Sequence, residues 1–199
     1  MFTSRAEYRI LLRSDNADTR LTEKSYRIGL ATEERHTRLL QKREKIEQLK
    51  NFIENFSVKA NLINEGLEAL GTTPLSRGCK LSAIIERPQI TIETISAYIQ
   101  PLKRELEKLG SQRDEIVEAT EIEIKYRGYI ERERELAERM IRLENIRIKG
   151  KFNYGEIESL STEARQKLTA INPDTLAQAS RIPGVSPSDI NVLLVLVRK

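Results

Sequence analysis

The sequence has few of the side chains that form disulfides, metal centres and nucleophilic active sites. Its 199 residues include one cysteine, Cys79, one histidine, His36, and no tryptophan. One cysteine excludes an intramolecular disulfide and a multi-thiolate site within these residues. One histidine excludes a histidine-based metal centre, and nothing supports a Ser-His-Asp arrangement. Cys79 is interpreted as a small apolar residue and His36 as a surface residue, and we expect no catalytic residue and no metal ligand.

Long apolar runs and glycine-rich phosphate loops are also absent. The longest apolar run, Val192 to Val197, has six residues, whereas a transmembrane helix needs about 18 or more. Residues 1–5 lack the charged and hydrophobic regions of a signal peptide, and no G-x-G-x-x-G motif occurs. We therefore expect a cytoplasmic chain with no membrane contact and no cofactor site of its own.

Charge is abundant but evenly mixed. The chain has 34 lysines and arginines against 30 aspartates and glutamates, a formal net charge of +4, and 39% hydrophobic residues. The opposite charges alternate along the sequence, as they do on solvated helix faces. This composition favours long helices with thin apolar stripes, and the net charge alone is weak evidence for a nucleic-acid partner.

Apolar periodicity predicts helices throughout the chain. Residues 4–7 have the spacing of a capping box, which predicts a short helix over about residues 4–13, and another is predicted from Thr22 to Ile28. Thr32 is the predicted start of a long amphipathic helix. Its apolar stripe, at the spacing of one helical face, consists of Leu39, Ile46, Leu49, Ile53 and Phe56.

The longest predicted helix runs from Gln112 to about Ile146. Glu133 interrupts its apolar stripe, and Gly128 costs about 1 kcal/mol relative to alanine in a helix interior. Two such exceptions indicate a close helix crossing or a bound partner. The simpler interpretation is tight packing at Gly128 and a Glu133 that reaches solvent. The candidate partner or packing face consists of Tyr126, Gly128, Tyr129 and Arg132.

Residues 147–154 break the helical pattern and are interpreted as a linker to a small C-terminal module. Ser161, Thr175 and Ser186 are the predicted N-caps of its three helices. No strand is predicted. The predicted fold is all-α, a helical bundle with long amphipathic helices followed by a small three-helix module. The predicted domains are a segment of residues 1–30, a long-helix bundle of residues 31–150 and the module of residues 151–199.

Two features are candidates for nucleic-acid contact, and the first is an arginine ladder. Arg5, Arg9 and Arg13 are spaced at i, i+4 and i+8, so a helix would place them on one face, where they would neutralise phosphates. The alternative is that they pair with nearby acids or with a neighbouring domain.

The second feature is a turn between two predicted helices, residues 182–187, with the sequence IPGVSP. It resembles the hairpin of helix-hairpin-helix modules, in which backbone amides at a helix N-terminus hold a phosphate. Arg181, Gly184 and Ser186 are the residues that would face it. A corner that only packs onto the bundle would need much the same residues, so both interpretations stay open.

Three separated segments also carry recognisable motifs. Residues 1–13 read MFTSRAEYRILLR and are followed by DNAD at 15–18 and RL at 20–21; residues 124–130 read IKYRGYI; and residues 178–182 read QASRI, before Gly184 and Val185. In this order they resemble the glucose-inhibited division protein A family, also called GidA or MnmG, of tRNA uridine 5-carboxymethylaminomethyl modification enzymes. Residues 50–115 match weakly.

The resemblance covers nearly the whole chain but only about the last third of a family member, which implies that Met1 is internal to a longer protein. It implies that residues 1–30 pack on a preceding flavin domain, and that FAD and NADH bind there rather than in this chain. It further implies that the longer protein is a homodimer. With a folate one-carbon donor and a GTPase of the MnmE/TrmE family, it would modify C5 of the wobble uridine of tRNA.

Three functions therefore compete. The first is a non-catalytic recognition region that binds tRNA, the GTPase or both. The second is a helical module that only docks the GTPase and makes no tRNA contact. The third, a free-standing structural bundle, is opposed by the three ordered motifs.

Overall fold

The chain forms two compact units, Met1–Glu131 and Arg132–Lys199, in a computed structural model that describes residues 8–197. The described residues contain eleven α-helices and one pair of two-residue strands, which confirms the predicted all-α class. None of these helices is both long and apolar enough to cross a membrane. The elements of the first unit are α1 (Ala17–Arg27), α2 (Glu33–Asn55), β1 (Ser57–Val58), α3 (Ala60–Ala69), β2 (Cys79–Lys80), α4 (Leu81–Ile85), α5 (Ile92–Ser96), α6 (Gln100–Glu107) and α7 (Arg113–Lys125).

The long helix α2 organises the first unit. It begins where the sequence predicts, because the Thr32 hydroxyl accepts a hydrogen bond from the Arg35 backbone amide at 3.3 Å. One stripe of α2 is buried against α7, α4 and α6. The short helices α4 to α6 complete the core with fully buried aliphatic side chains. These include Leu81, Ile84, Ile85, Ile92, Ile95 and Leu102.

The second unit has its own apolar core. Its elements are most of α8 (Arg127–Glu144), then α9 (Thr162–Ile171), α10 (Leu176–Ser180) and α11 (Pro187–Val197). The hydroxyls of Ser161 and Thr175 cap α9 and α10 as predicted. Whereas the sequence predicts a boundary at residue 150, the contacts divide the chain after Glu131, because Leu143 and Ile148 are buried in the core of the second unit.

The predicted helix over residues 4–13 is wrong for the part that can be described. Residues 8–12 form turns, and Tyr8 has a left-handed φ of 55°. The turn is closed by Arg13, whose guanidinium donates to the Ile10 carbonyl at 2.6 Å and to the Asp15 carboxylate at 3.0 Å. Residues 1–7 lie outside the described part of the chain. Arg9 and Arg13 therefore do not share a helical face.

Two further predictions are corrected. The single helix from Gln112 to Ile146 is divided into α7 and α8 at Tyr126, whose φ of −106° and ψ of 13° leave the helical region. The sequence predicts no strand, whereas residues 57–58 pair antiparallel with Cys79–Lys80. This pairing joins segments more than twenty residues apart, so local periodicity does not show it.

Candidate nucleic-acid and partner interfaces

Two arginines near the N-terminus, Arg13 and Arg20, are engaged in local contacts and are not free to bind a phosphate. Arg13 is mostly buried and ion-paired with Asp15 at 3.0 Å, and Arg20 donates to the Asn16 side chain at 2.8 Å. Arg9 is exposed, and Arg5 lies outside the described residues. For Arg13, the alternative of pairing with a nearby acid is the one observed.

A buried lysine that the sequence reasoning missed holds α1 against α2 and α7. Lys42 is 6% exposed and lies within the apolar stripe of α2, and its ammonium contacts Asp18 at 2.8 Å and Glu115 at 3.2 Å. Burial acts to lower the pKa of Lys42, but its bonds to the two carboxylates outweigh burial and leave that pKa raised. Lys42 lies three residues after Leu39 and four before Ile46, so it falls on the predicted apolar face. That position in the sequence already indicates a buried lysine.

The predicted partner or packing face is exposed. Tyr126 and Tyr129 are 48% and 63% exposed, with ring centroids 6.4 Å apart. Apart from its chain neighbours and the backbone of its own helix, no described atom lies within 4 Å of a Cβ placed on Gly128, so the prediction of tight packing at this glycine is wrong. One oxygen of Glu133 is buried without a hydrogen-bond partner among the described residues, so this carboxylate does not simply reach solvent. Arg132 is exposed on α8.

In the second unit, carboxylates surround the predicted phosphate-binding turn. Ser186 caps α11, and the Asp189 carboxylate accepts hydrogen bonds from the Ser186 amide at 2.8 Å and hydroxyl at 2.6 Å. The same carboxylate accepts from the Ser161 amide at 2.8 Å. The amide that would hold a phosphate is therefore occupied by a side chain of the chain itself.

The other charged side chains near this turn do not favour a phosphate, because two of them are carboxylates. The Glu163 carboxylate lies where a side chain on Gly184 would stand. Arg181 is 56% exposed and 4.0 Å from Glu144. These contacts are explained if the turn is a corner that only packs onto the bundle, and they require no bound ligand.

Gly184 is required by this turn, and Gly184→Ala is expected to lower the free energy of unfolding of the second unit by about 2 kcal/mol. Its φ of +94° is left-handed, and an alanine methyl would displace Glu163. Thermal unfolding followed by circular dichroism measures the change. Gly155→Ala is the matched control, because its Cβ would make only an ordinary 3.5 Å contact with Asn153. Equal melting temperatures of the two variants would contradict the assignment.

A basic segment that the sequence reasoning missed lies at residues 139–151. It contains five basic residues and one acidic residue, Glu144. All five basic side chains are exposed. Lys149 pairs with Asp174 at 2.8 Å, whereas Arg139, Arg142, Arg147 and Lys151 form no ion pair with any residue from 8 to 197. Even mixing of charge along the whole chain concealed this local excess. The basic residues are Arg139, Arg142, Arg147, Lys149 and Lys151.

Comparison with known proteins gives consistent matches along the chain. Residues 33–134 match the model of the tRNA modifying enzyme MnmG/GidA C-terminal helical domain, and residues 136–199 match that of the MnmG/GidA C-terminal helical bundle. Curated tRNA uridine 5-carboxymethylaminomethyl modification enzymes MnmG from Bacteroides fragilis and Bacteroides thetaiotaomicron are 64% and 62% identical over 98% of this chain. The chain spans about a third of their length, 32% of each.

A solved structure gives the same result. The structure of Aquifex aeolicus GidA in its form II crystal is similar over 100% of this chain and 30% of that one, with 33% identity and a TM-score of 0.63. The form I crystal gives a TM-score of 0.60 over 98% of this chain. The similarity therefore extends across both helical units.

Proposed function

The chain belongs to the MnmG/GidA family, and from this membership we propose that it is the non-catalytic recognition region of a longer tRNA wobble-uridine modification enzyme. In this proposal the second unit contacts tRNA through the basic segment 139–151. The observation that carries it is the exposure of five cationic side chains beside one carboxylate. Four of the five have no ion-pair partner among the described residues, and only Lys149 is paired, with Asp174. Such side chains bind phosphates and release counterions.

The cofactors of the family do not fit this chain. A dinucleotide is held by a strand, a glycine-rich loop and a following helix. The one sheet among the described residues consists of β1 and β2, each only two residues long, and it provides no such site. We therefore assign FAD and NADH to the remainder of the longer enzyme. A flavin absorbance spectrum from this chain would contradict the assignment of FAD.

A titration with labelled wobble-uridine tRNA tests the RNA contact. We expect micromolar binding that weakens steeply with salt, and the double variant Arg142→Glu/Arg147→Glu is expected to lose about tenfold or more in affinity and about two units of salt slope. Fluorescence anisotropy at low and physiological salt measures both quantities. Arg181→Glu is expected to have a smaller effect, because the amide at its turn is already occupied.

The matched control is Arg77→Glu/Arg104→Glu, which reverses two exposed arginines of the first unit and makes the same change in net charge. It is expected to leave the affinity within about twofold, apart from general charge effects. Equal loss in both variants would assign the binding to net charge. No tRNA binding by the folded chain would favour the alternative, a module that only docks an MnmE/TrmE-type GTPase.

A further inference from the structure

A groove along the first unit is lined by exposed carboxylates and by apolar side chains that are only partly buried. It has a volume of about 770 Å³ and lies between the start of α5 and the outer face of α7. Its apolar lining includes Val117, Ile122 and Tyr126, of which the first two are half-buried. It lies outside the basic segment 139–151, and it ends at Tyr126, a member of the predicted partner or packing face.

The charge of this groove is negative. Four carboxylates and two cations line it. The cations are already engaged, because Arg113 contacts Glu93 at 2.7 Å and Lys125 contacts Glu121 at 2.8 Å.

Two carboxylates remain to face solvent, one helical turn apart on α7. The Asp114 side chain is 98% exposed and lies 3.8 Å from Arg113, which Glu93 holds more closely. Glu118 is exposed and has no ion pair within residues 8–197. RNA would be repelled from this surface, whereas a basic segment would be attracted to it.

Aromatic rings continue the groove at its end. Tyr126, at the break between α7 and α8, is 48% exposed, and Tyr129 lies beside it with ring centroids 6.4 Å apart. Exposed tyrosine faces stack with guanidinium planes, and such contacts are stronger when water is excluded.

We propose that this groove docks a segment of a partner protein that alternates basic and apolar side chains. Its arginines or lysines pair with Asp114 and Glu118, one guanidinium stacks on Tyr126, and its apolar side chains cover Val117 and Ile122. The charge complementarity selects a basic protein segment over RNA. This goes beyond the proposed RNA contact, which is in the other unit and is tested by other residues.

A short fluorescein-labelled peptide of alternating arginine and leucine is the probe, titrated against the 199-residue chain. We expect saturable binding that Asp114→Lys/Glu118→Lys weakens at least about tenfold. The neutral variant Asp114→Asn/Glu118→Gln is expected to weaken it less, in the same direction. Tyr126→Ala is expected to weaken binding, whereas Tyr126→Phe keeps the aromatic face and the affinity. Circular dichroism establishes that each variant is folded.

The matched control is Glu65→Lys/Glu68→Lys, which reverses two exposed carboxylates on α3 and leaves the groove intact. Its affinity for the peptide is expected to be nearly unchanged. Three results would overturn the proposal: no binding of the peptide, equal weakening by the control pair, or displacement of the peptide by a labelled RNA hairpin. None of them bears on Arg142 and Arg147, so failure here is distinguishable from failure of the RNA contact.

Discussion

Asp189→Ala is expected to lower the free energy of unfolding of the second unit by about 3 kcal/mol. Asp189 is 3% exposed, and its carboxylate joins the N-termini of two helices by accepting from the amides of Ser161 and Ser186, each at 2.8 Å. Alanine removes the acceptor and leaves two partly buried donors without their partner. Urea denaturation followed by circular dichroism measures the change.

A conservative substitution and a surface control sharpen this result. Asp189→Asn keeps an acceptor oxygen but loses the charge, so we expect a smaller loss. Asp174→Ala removes a carboxylate that is 54% exposed and paired with Lys149, which is expected to cost no more than about 0.5 kcal/mol. Comparable losses for Asp189→Ala and Asp174→Ala would show that the shared carboxylate does not stabilise the unit.

The contribution of Asp189 is expected to depend on pH. Burial acts to raise its pKa, but the hydrogen bonds from Ser186 and Ser161 outweigh burial and leave the pKa lowered in the folded chain. Since an unfolded aspartate has a pKa of about 3.9, the stabilisation is fully present above that pH and is lost as the pH falls through the folded value. The difference in stability between the native chain and Asp189→Asn should therefore shrink as the medium is acidified below about pH 4.

Ile53→Ala is expected to lower the free energy of unfolding of the first unit by about 3 kcal/mol. Ile53 is fully buried in the stripe that α2 packs against the rest of the core. Removing three carbon atoms there loses their transfer free energy and leaves a cavity that close-packed neighbours fill only in part. Chemical denaturation of the two chains gives the difference directly.

Leu40 on the same helix supplies the control. It is an aliphatic residue of the same size, but it is 47% exposed. Leu40→Ala is expected to change stability by about 0.5 kcal/mol or less. A loss as large as that of Ile53→Ala would mean that the stripe of α2 is assigned to the wrong face.

The two proposed contacts use opposite chemistry. The basic segment presents Arg142 and Arg147 for phosphates, and the groove on α7 presents Asp114 and Glu118 for a basic protein segment. Salt dependence separates them only in part, because both are electrostatic. The variants separate them fully, since each pair changes one surface and leaves the other intact.

Local chemistry determined much of this protein from the sequence alone. The start of α2 follows from the hydroxyl of Thr32, and the starts of α9 and α10 follow from those of Ser161 and Thr175. A helix cap needs only residues three positions apart, and an amphipathic stripe needs only its own periodicity. The three ordered motifs likewise led to the family that the comparisons show.

Tertiary structure decided what depends on distant partners. Asp189 reads in sequence as an acid in the first turn of a helix, yet it also caps a helix through Ser161, 28 residues earlier. Lys42 interrupts an apolar stripe and is stable there only because Asp18 and Glu115 come from two other helices. Tyr126 is exposed and Gly128 is open because no other described element packs against them. The periodicity of one helix cannot show whether another element will pack there.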